Sequence, residues 1–240
     1  MTKLATRRFA SRMALESELT QRLARAIAAP DAAALMLSGG TTPLPAYRAL
    51  ARPGLPHAAE LRILFSDDRY VPADSPASNY LKAQPLLSAL ALSSAAVLRV
   101  RTELPLEEAA RDYETRLAAH LRAGGRIGLG LLGLGADGHT ASLFGSADLE
   151  RARGRLALAV QRPDGMSAVS VSPELLAQVA EPVFVVAGAD KRNAVDRLLA
   201  QDPELTAWRA VAGCSRVELW MDEAAAPPPG ATILPPSSLT

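Results

Sequence analysis

The 240-residue chain has a single cysteine, Cys214, and that scarcity already narrows its class. No disulfide framework can form within the chain, which fits a reducing cytosol. Cys214 itself reads as a small apolar core residue. There is also little net charge: 26 Lys and Arg against 25 Asp and Glu give +1, with a pI near 7.9. No basic field therefore calls for nucleic acid or an anionic membrane as a partner. No apolar run approaches the roughly 20 residues of a membrane span. The opening MTKLATRRFASRMALESEL lacks the apolar core of a signal peptide, although its arginines and serines faintly suggest a transit peptide. Three scattered histidines, His57, His120 and His139, show no zinc-ligand spacing with the lone cysteine. A G-x-S-x-G elbow is absent, so a serine hydrolase would lack its nucleophile. These absences leave a cytoplasmic globular protein for which neither metal nor cofactor is expected.

What is present is an alternation of helical and strand patterns without internal repeats. Phe9, Met13, Leu15, Leu19, Leu23 and Ile27 predict a helix over 9–29, stopped by Pro30. A strand is expected at Ala32–Leu37, then a turn with Pro43 near a helix start, then a strand at Leu61–Phe65. Helices are predicted over 78–90 and 105–123, with a brief strand at Val97–Val100 between them. Further strands are expected at 127–132, 155–160 and 167–171. Pro182–Ala187 should feed a helix from about Asp190 to Leu199, and a last strand, Arg216–Met221, precedes a Pro227–Pro229 surface tail. Strands separated by helices predict a three-layer α/β domain, with a mostly parallel sheet and helices on both faces. No linker divides the chain, so residues 1–240 are expected to form one domain, in a monomer or small homo-oligomer.

The chemistry-bearing residues gather where predicted strands end. Gly133-Leu134-Gly135-Ala136-Asp137-Gly138-His139-Thr140 follows the buried run 127–132 and puts an acid and a histidine two residues apart in a glycine-rich turn. Such a turn lies at the carboxyl edge of an α/β sheet, where ligands bind, and histidine can take and return a proton near neutrality. Ser38-Gly39-Gly40-Thr41-Thr42 offers backbone amides, hydroxyls and a following helix N-terminus. It reads either as a phosphate cradle or as a plain strand-to-helix turn. Ser66-Asp67-Asp68-Arg69 ends the Leu61–Phe65 strand. Its two carboxylates could orient sugar hydroxyls while Arg69 meets an anion, or the run could be a self-neutralising surface cluster. Lys191 is one of only three lysines, against 23 arginines, and stands at a predicted helix start. A cation there opposes the helix dipole unless an anion binds beside it.

The overlapping matches to G-x-G-x-x-G at 128–133 and 133–138 lie past mid-chain, without an early βαβ context, so a dinucleotide site is not inferred. His120 in an amphipathic helix and His57 in a Pro/Gly loop read as surface residues.

In order and spacing, SGGTTP, SDDRYVP with Ser78-Asn79-Tyr80, GLGADGHTASLFG and VVAGADK resemble the 6-phosphogluconolactonase family over about residues 30–222. The resemblance implies a Rossmann-like fold shared with glucosamine-6-phosphate deaminases and ribose-5-phosphate isomerases. It also implies hydrolysis of 6-phosphoglucono-1,5-lactone in the oxidative pentose phosphate pathway. By similarity, His139 is the general base, Asp137 its neighbouring acid and Arg69 an essential cation. The loop at 39–42 and Lys191 match positions that hold the substrate phosphate, and Gly135 belongs to the histidine motif. One departure stands out: family members often carry an arginine just before the strand that begins here near Ser167, whereas Arg162 comes several residues early. The deaminase branch typically continues the histidine motif to a glutamate. This chain instead runs Thr140-Ala141-Ser142-Leu143-Phe144, with no acid before Asp148. A sugar-phosphate sensor domain would be joined to a DNA-binding helix-turn-helix, for which no room precedes residue 32.

Overall fold

The computed structural model describes residues 2–29 and 34–228. In chain order the elements are β1 (Lys3–Phe9), α1 (Arg12–Ala28), β2 (Ala34–Leu37), α2 (Leu44–Ala49), β3 (Ile63–Phe65), β4 (Asp67–Arg69), α3 (Asn79–Leu90), β5 (Val97–Leu98), α4 (Leu106–Arg122), β6 (Ile127–Leu132), α5 (Ser146–Arg151), β7 (Ala157–Gln161), β8 (Ser167–Val171), α6 (Pro173–Leu176), β9 (Val179–Val186), α7 (Arg192–Leu199), α8 (Thr206–Val211) and β10 (Arg216–Asp222). Pro30, the first two residues of the strand expected from Ala32, and Pro229 lie outside the described residues.

Seven strands form a parallel sheet in the order β1-β10-β9-β6-β2-β3-β5. Alternate residues along each strand point to opposite faces, so each face builds its own core. Leu35, Ile63, Leu129 and Val183 meet α1, α2 and α3 on one side. Met36, Leu64, Leu132 and Phe184 meet α4, α6, α7 and α8 on the other. The expected three-layer arrangement is therefore found, with Leu15, Leu19, Leu23 and Ile27 of α1 fully buried at helical spacing.

Several details differ from expectation. The helix predicted from Phe9 starts at Arg12, where the Ser11 hydroxyl accepts the Ala14 amide at 3.2 Å. The residues before it form β1, which among the described strands is an edge strand paired with β10 alone. With Arg7 and Arg8 in its C-terminal half it lacks the apolar alternation that would reveal it. The Arg7 guanidinium lies 4.5 Å from the Trp220 ring centre and so covers a core aromatic instead of interrupting it. β9 starts at Val179, three residues before the expected Pro182. The larger correction is a second, antiparallel sheet, β4-β8-β7, laid against the face that carries α4. The 155–160 and 167–171 strands are a hairpin in this sheet.

Ser66 is the residue at which the chain passes from one sheet to the other. Its amide donates to Leu37 of the parallel sheet at 2.8 Å, and its carbonyl accepts from Val171 of the antiparallel sheet at 2.9 Å. Two buried tyrosines hold the strand ends on either side. The Tyr113 hydroxyl accepts the Phe65 amide at 3.0 Å and donates to the Phe65 carbonyl at 2.6 Å. Tyr47 does the same for Ser38, at 3.2 and 2.9 Å. Both phenols are deeply desolvated, which pushes their pKa values upward and keeps the clamps neutral.

Candidate active site

A cleft of about 180 Å³ opens at the carboxyl ends of β2, β6 and β9. This is where a parallel sheet offers loops and unpaired amides to a ligand. It is lined by Ser38, Gly40, Thr41 and Thr42 after β2, and by Asp67 and Arg69 of β4. Gly135 and His139 after β6, and Lys191 after β9, also line it, whereas Gly39, Asp68 and Asp137 do not. Four motifs separated by up to 153 residues thus meet in one place.

The loop after β6 is tied by its own backbone. Gly135 donates to the His139 carbonyl at 2.8 Å, Gly138 donates to the Gly135 carbonyl at 3.0 Å, and the Thr140 hydroxyl donates to the Gly133 carbonyl at 2.9 Å. Gly138 has φ +87°, a left-handed conformation that a side chain disfavours. Within this loop His139 Nδ1 donates to Asp137 Oδ1 at 2.5 Å, and the His139 amide donates to the same oxygen at 3.2 Å. With Nδ1 occupied, Nε2 is the ring nitrogen left to accept a proton. The ring also packs on Phe144, with centres 4.4 Å apart. Partial burial pushes the Asp137 carboxyl up, but the bonds and charge of His139 outweigh it and hold the group below its ordinary value. Asp137 does not line the cleft; it stands behind His139. Gly135 has a packing reason to be glycine, because a Cβ there would lie 2.1 Å from His139 Nδ1 and 2.3 Å from Asp137 Oδ1.

At β4 the two adjacent acids separate. Asp67 faces the cleft, whereas Asp68 turns away from it and is 1% exposed. Asp68, expected among the ligand-binding residues, has another task in the structure. Its carboxylate accepts the amides of Asn79 at 2.6 Å and Tyr80 at 3.2 Å, and the Ser78 hydroxyl at 3.2 Å. It therefore caps the N-terminus of α3. Burial pushes its pKa up to about 6, against the pull of those amides. The reading of this run as a solvated charge cluster also falls, since both carboxylates are buried.

Gly39 is likewise displaced from its expected place. It does not line the cleft; a Cβ on it would meet Asn79 Oδ1 at 1.8 Å. The remaining loop residues do face the cleft, and α2 begins after them without a side-chain cap; Pro45 has no amide and that of Ala46 bonds the Pro43 carbonyl at 3.1 Å, so the loop more than the helix must supply donors. The Thr41 carbonyl is held from outside by Arg12 Nη2 at 3.2 Å. Lys191 ends a single 3-10 turn, Ala189–Lys191, so the α-helix expected from Asp190 begins at Arg192. Its only ion pair among the described residues is with exposed Asp190, at 3.4 Å.

Residues without an assigned role in the sequence reading complete the cleft. Arg162 reaches it from the β7–β8 turn, its guanidinium 5.1 Å from the Phe144 ring centre and only 11% exposed. The apparent displacement of this arginine along the chain is thus absorbed by the hairpin. Asn79 also lines the cleft and accepts a hydrogen bond from Arg69. In the sequence it stands out only within Ser78-Asn79-Tyr80, which carries part of the family resemblance and gives Asn79 no task; Ser78 caps α3. Among the described residues, no three His, Cys, Asp or Glu side chains gather as a metal ion would need. Among the described residues, no helix is long and apolar enough to cross a membrane.

Comparison with known proteins agrees with this geometry. The family model for glucosamine-6-phosphate isomerases/6-phosphogluconolactonase matches residues 7–220. A 6-phosphogluconolactonase from Synechocystis is 35% identical over 192 residues, covering 78% of this chain and 79% of its own length. The human 6-phosphogluconolactonase is 33% identical over 228 residues, covering 89% and 87%. The crystal structure of 6-phosphogluconolactonase from Thermotoga maritima superposes with a TM-score of 0.75 at 26% identity, over 93% of this chain and 100% of that one. A monomeric glucosamine-6-phosphate deaminase shares the fold at 17% identity, with a TM-score of 0.74 over 92% and 98% of the two chains. By its motifs, its sheet order and these relatives, the chain belongs to the glucosamine-6-phosphate isomerase/6-phosphogluconolactonase family.

Proposed function

We propose that the protein hydrolyses 6-phospho-D-glucono-1,5-lactone to 6-phospho-D-gluconate, the lactone-opening step of the oxidative pentose phosphate pathway, with His139 as general base. The observation that carries this is the Asp137–His139 pair, which leaves one imidazole nitrogen free beside a cleft lined by three cationic side chains. Asp137 holds the tautomer in which Nε2 accepts, and it favours the imidazolium once formed. Water attacks C1 as His139 Nε2 takes its proton, and negative charge gathers on the former carbonyl oxygen. Arg69 meets that charge. The tetrahedral species collapses, the bond from C1 to the ring oxygen breaks, and the imidazolium returns its proton to the departing oxygen. Lys191, Arg162 and the loop at 38–42 hold the phosphate and so fix C1 against His139. No acid follows His139 before Asp148, and that carboxylate is committed to Arg151 and the Phe144 amide, which disfavours the ring-opening chemistry of a deaminase. We further propose that residues 1–240 act as one catalytic unit in the cytoplasm, in keeping with the single unpaired cysteine.

The test is acid release from freshly generated 6-phosphogluconolactone, measured against the spontaneous rate without added metal. Strong acceleration that disappears in His139→Ala supports the reading. No acceleration by folded protein overturns it.

A further inference from the structure

Beneath the cleft, polar side chains run as one hydrogen-bonded chain whose two ends are the cations Arg69 and Arg162. The Asp67 carboxylate, 5% exposed, stands at its centre. Oδ1 of Asp67 accepts from Ser66 Oγ at 3.0 Å and from Asn79 Nδ2 at 3.3 Å. Oδ2 accepts from Ser142 Oγ at 2.7 Å. Asn79 Oδ1 in turn accepts from Arg69 Nη1, and Ser142 Oγ accepts from Arg162 Nη1 at 3.2 Å. Asn79 and Ser142 are 1% and 0% exposed, so neither side chain can wander.

The form of these links matters. Toward Asp67 each cation meets a neutral group, and that group meets the carboxylate. Arg162 is also paired with exposed Asp164, through Nε and Nη2 at 3.1 and 3.0 Å, which leaves Nη1 for Ser142. A direct pair with buried Asp67 would cancel much of either cation's charge where water screens little. A single bond to Asn79 instead fixes Arg69 at one nitrogen and leaves its other donors for a ligand. A buried carboxylate also requires partners on both oxygens, so the relay groups stabilise Asp67 while they orient the cations. Gly39 adds an independent sign that the relay has a required place. Any side chain at residue 39 would occupy the space of the Asn79 amide.

We infer that Asn79 and Ser142 are positioning residues, Asn79 acting through Arg69 and Ser142 acting through Arg162, with Asp67 as their shared anchor. What the two cations do chemically rests on the proposed lactone hydrolysis; the coupling itself is a property of the folded cleft. Since Arg69 faces charge that develops during reaction, Asn79→Ala lowers kcat about tenfold and leaves KM within about twofold. Since Arg162 faces charge already present in the substrate, Ser142→Ala raises KM about fivefold with kcat nearly unchanged.

Double-mutant cycles on the full-length protein test this. Asn79→Ala should cost less than about twofold in an Arg69→Ala background, and Ser142→Ala likewise in an Arg162→Ala background. Effects that simply add within each pair overturn the inference. A second readout does not require activity: in nitrogen-15 NMR the Arg69 guanidinium, identified by its loss in Arg69→Lys, should show restricted Nη rotation that becomes averaged in Asn79→Ala. An unchanged signal overturns the Asn79 link even if the substrate proves to be different. Wild-type protein that fails on the lactone but keeps this NMR response would sink the reading of function and leave the network standing. Should Asn79→Ala not fold, Ser142→Ala with Arg162 as the observed guanidinium carries the same decision.

Discussion

The segments after β3 and β6 both reach the cleft and both carry carboxylates, yet they are built in opposite ways. In the first, Asp67 and Asp68 are buried, and every carboxylate oxygen has a partner. In the second, the Asp137 side chain is 57% exposed and is held by the His139 ring and amide. The buried loop is a scaffold, and its charges cannot move without leaving a desolvated group unpaired. The exposed loop can let His139 gain and lose a proton, because water shares in solvating both forms. Fixed cations and a mobile proton are different requirements, and this family member meets them with different degrees of burial.

The largest expected effect isolates the exposed loop. His139→Ala should lower turnover by about 10²–10⁴-fold, the usual range for removing a general base, while thermal unfolding barely moves. A normal rate in the folded variant would take His139 out of the chemistry.

Paired glycine substitutions sharpen the contrast. Gly39→Ala drives a Cβ into buried Asn79 and should cost about 1–3 kcal/mol of stability, the range for overpacking. Gly135→Ala drives a Cβ into the His139–Asp137 pair, where the ring can swing toward solvent. Its loss should therefore appear chiefly as roughly tenfold slower turnover. Equal stability losses in denaturant titration would erase the proposed difference between the loops.

The two loops should also respond oppositely to acid. Asp68 has a folded pKa of about 6, above its ordinary 3.8. The native protein therefore holds that proton where the unfolded chain has released it, and the contribution of Asp68 to stability grows as pH falls through this window. Relative to Asp68→Asn, the wild type should gain roughly 2 kcal/mol between pH 7 and pH 4. Asp137 is shifted downward, so its contribution is present above the ordinary carboxylate pKa and is lost as pH falls through the folded value. Urea unfolding of both Asn variants across this range would reveal a matching sign if the comparison is wrong.

An effect on binding alone is expected at the far side of the cleft. Lys191→Ala should raise KM about tenfold with little change in kcat, since the proposed contact with phosphate would be made alike before and during reaction. An unchanged KM would move the phosphate away from β9.

Much of the fold and site was legible because it depends on local pattern. The α1 stripe, the 127–132 strand and the clustering of His139, Arg69, Thr41 and Lys191 at strand ends all follow from periodicity and from turns that must face one sheet edge. β1 was not legible, since an arginine-rich edge strand is defined by its partner β10. The second sheet was not legible either, because it begins at Ser66, whose two backbone bonds go to residues far apart in sequence.

The same division holds inside the motifs. By itself the sequence determined which residue types meet at the cleft, since glycine, threonine, acid, arginine and histidine each bring a fixed chemistry. Only the tertiary structure decided their tasks. Asp68 became a helix cap while its neighbour Asp67 became an anchor, and Gly39 made room for Asn79 while Gly40 faced the cleft. Adjacent residues in an extended chain point to opposite sides, and what waits on each side is set by elements distant in sequence.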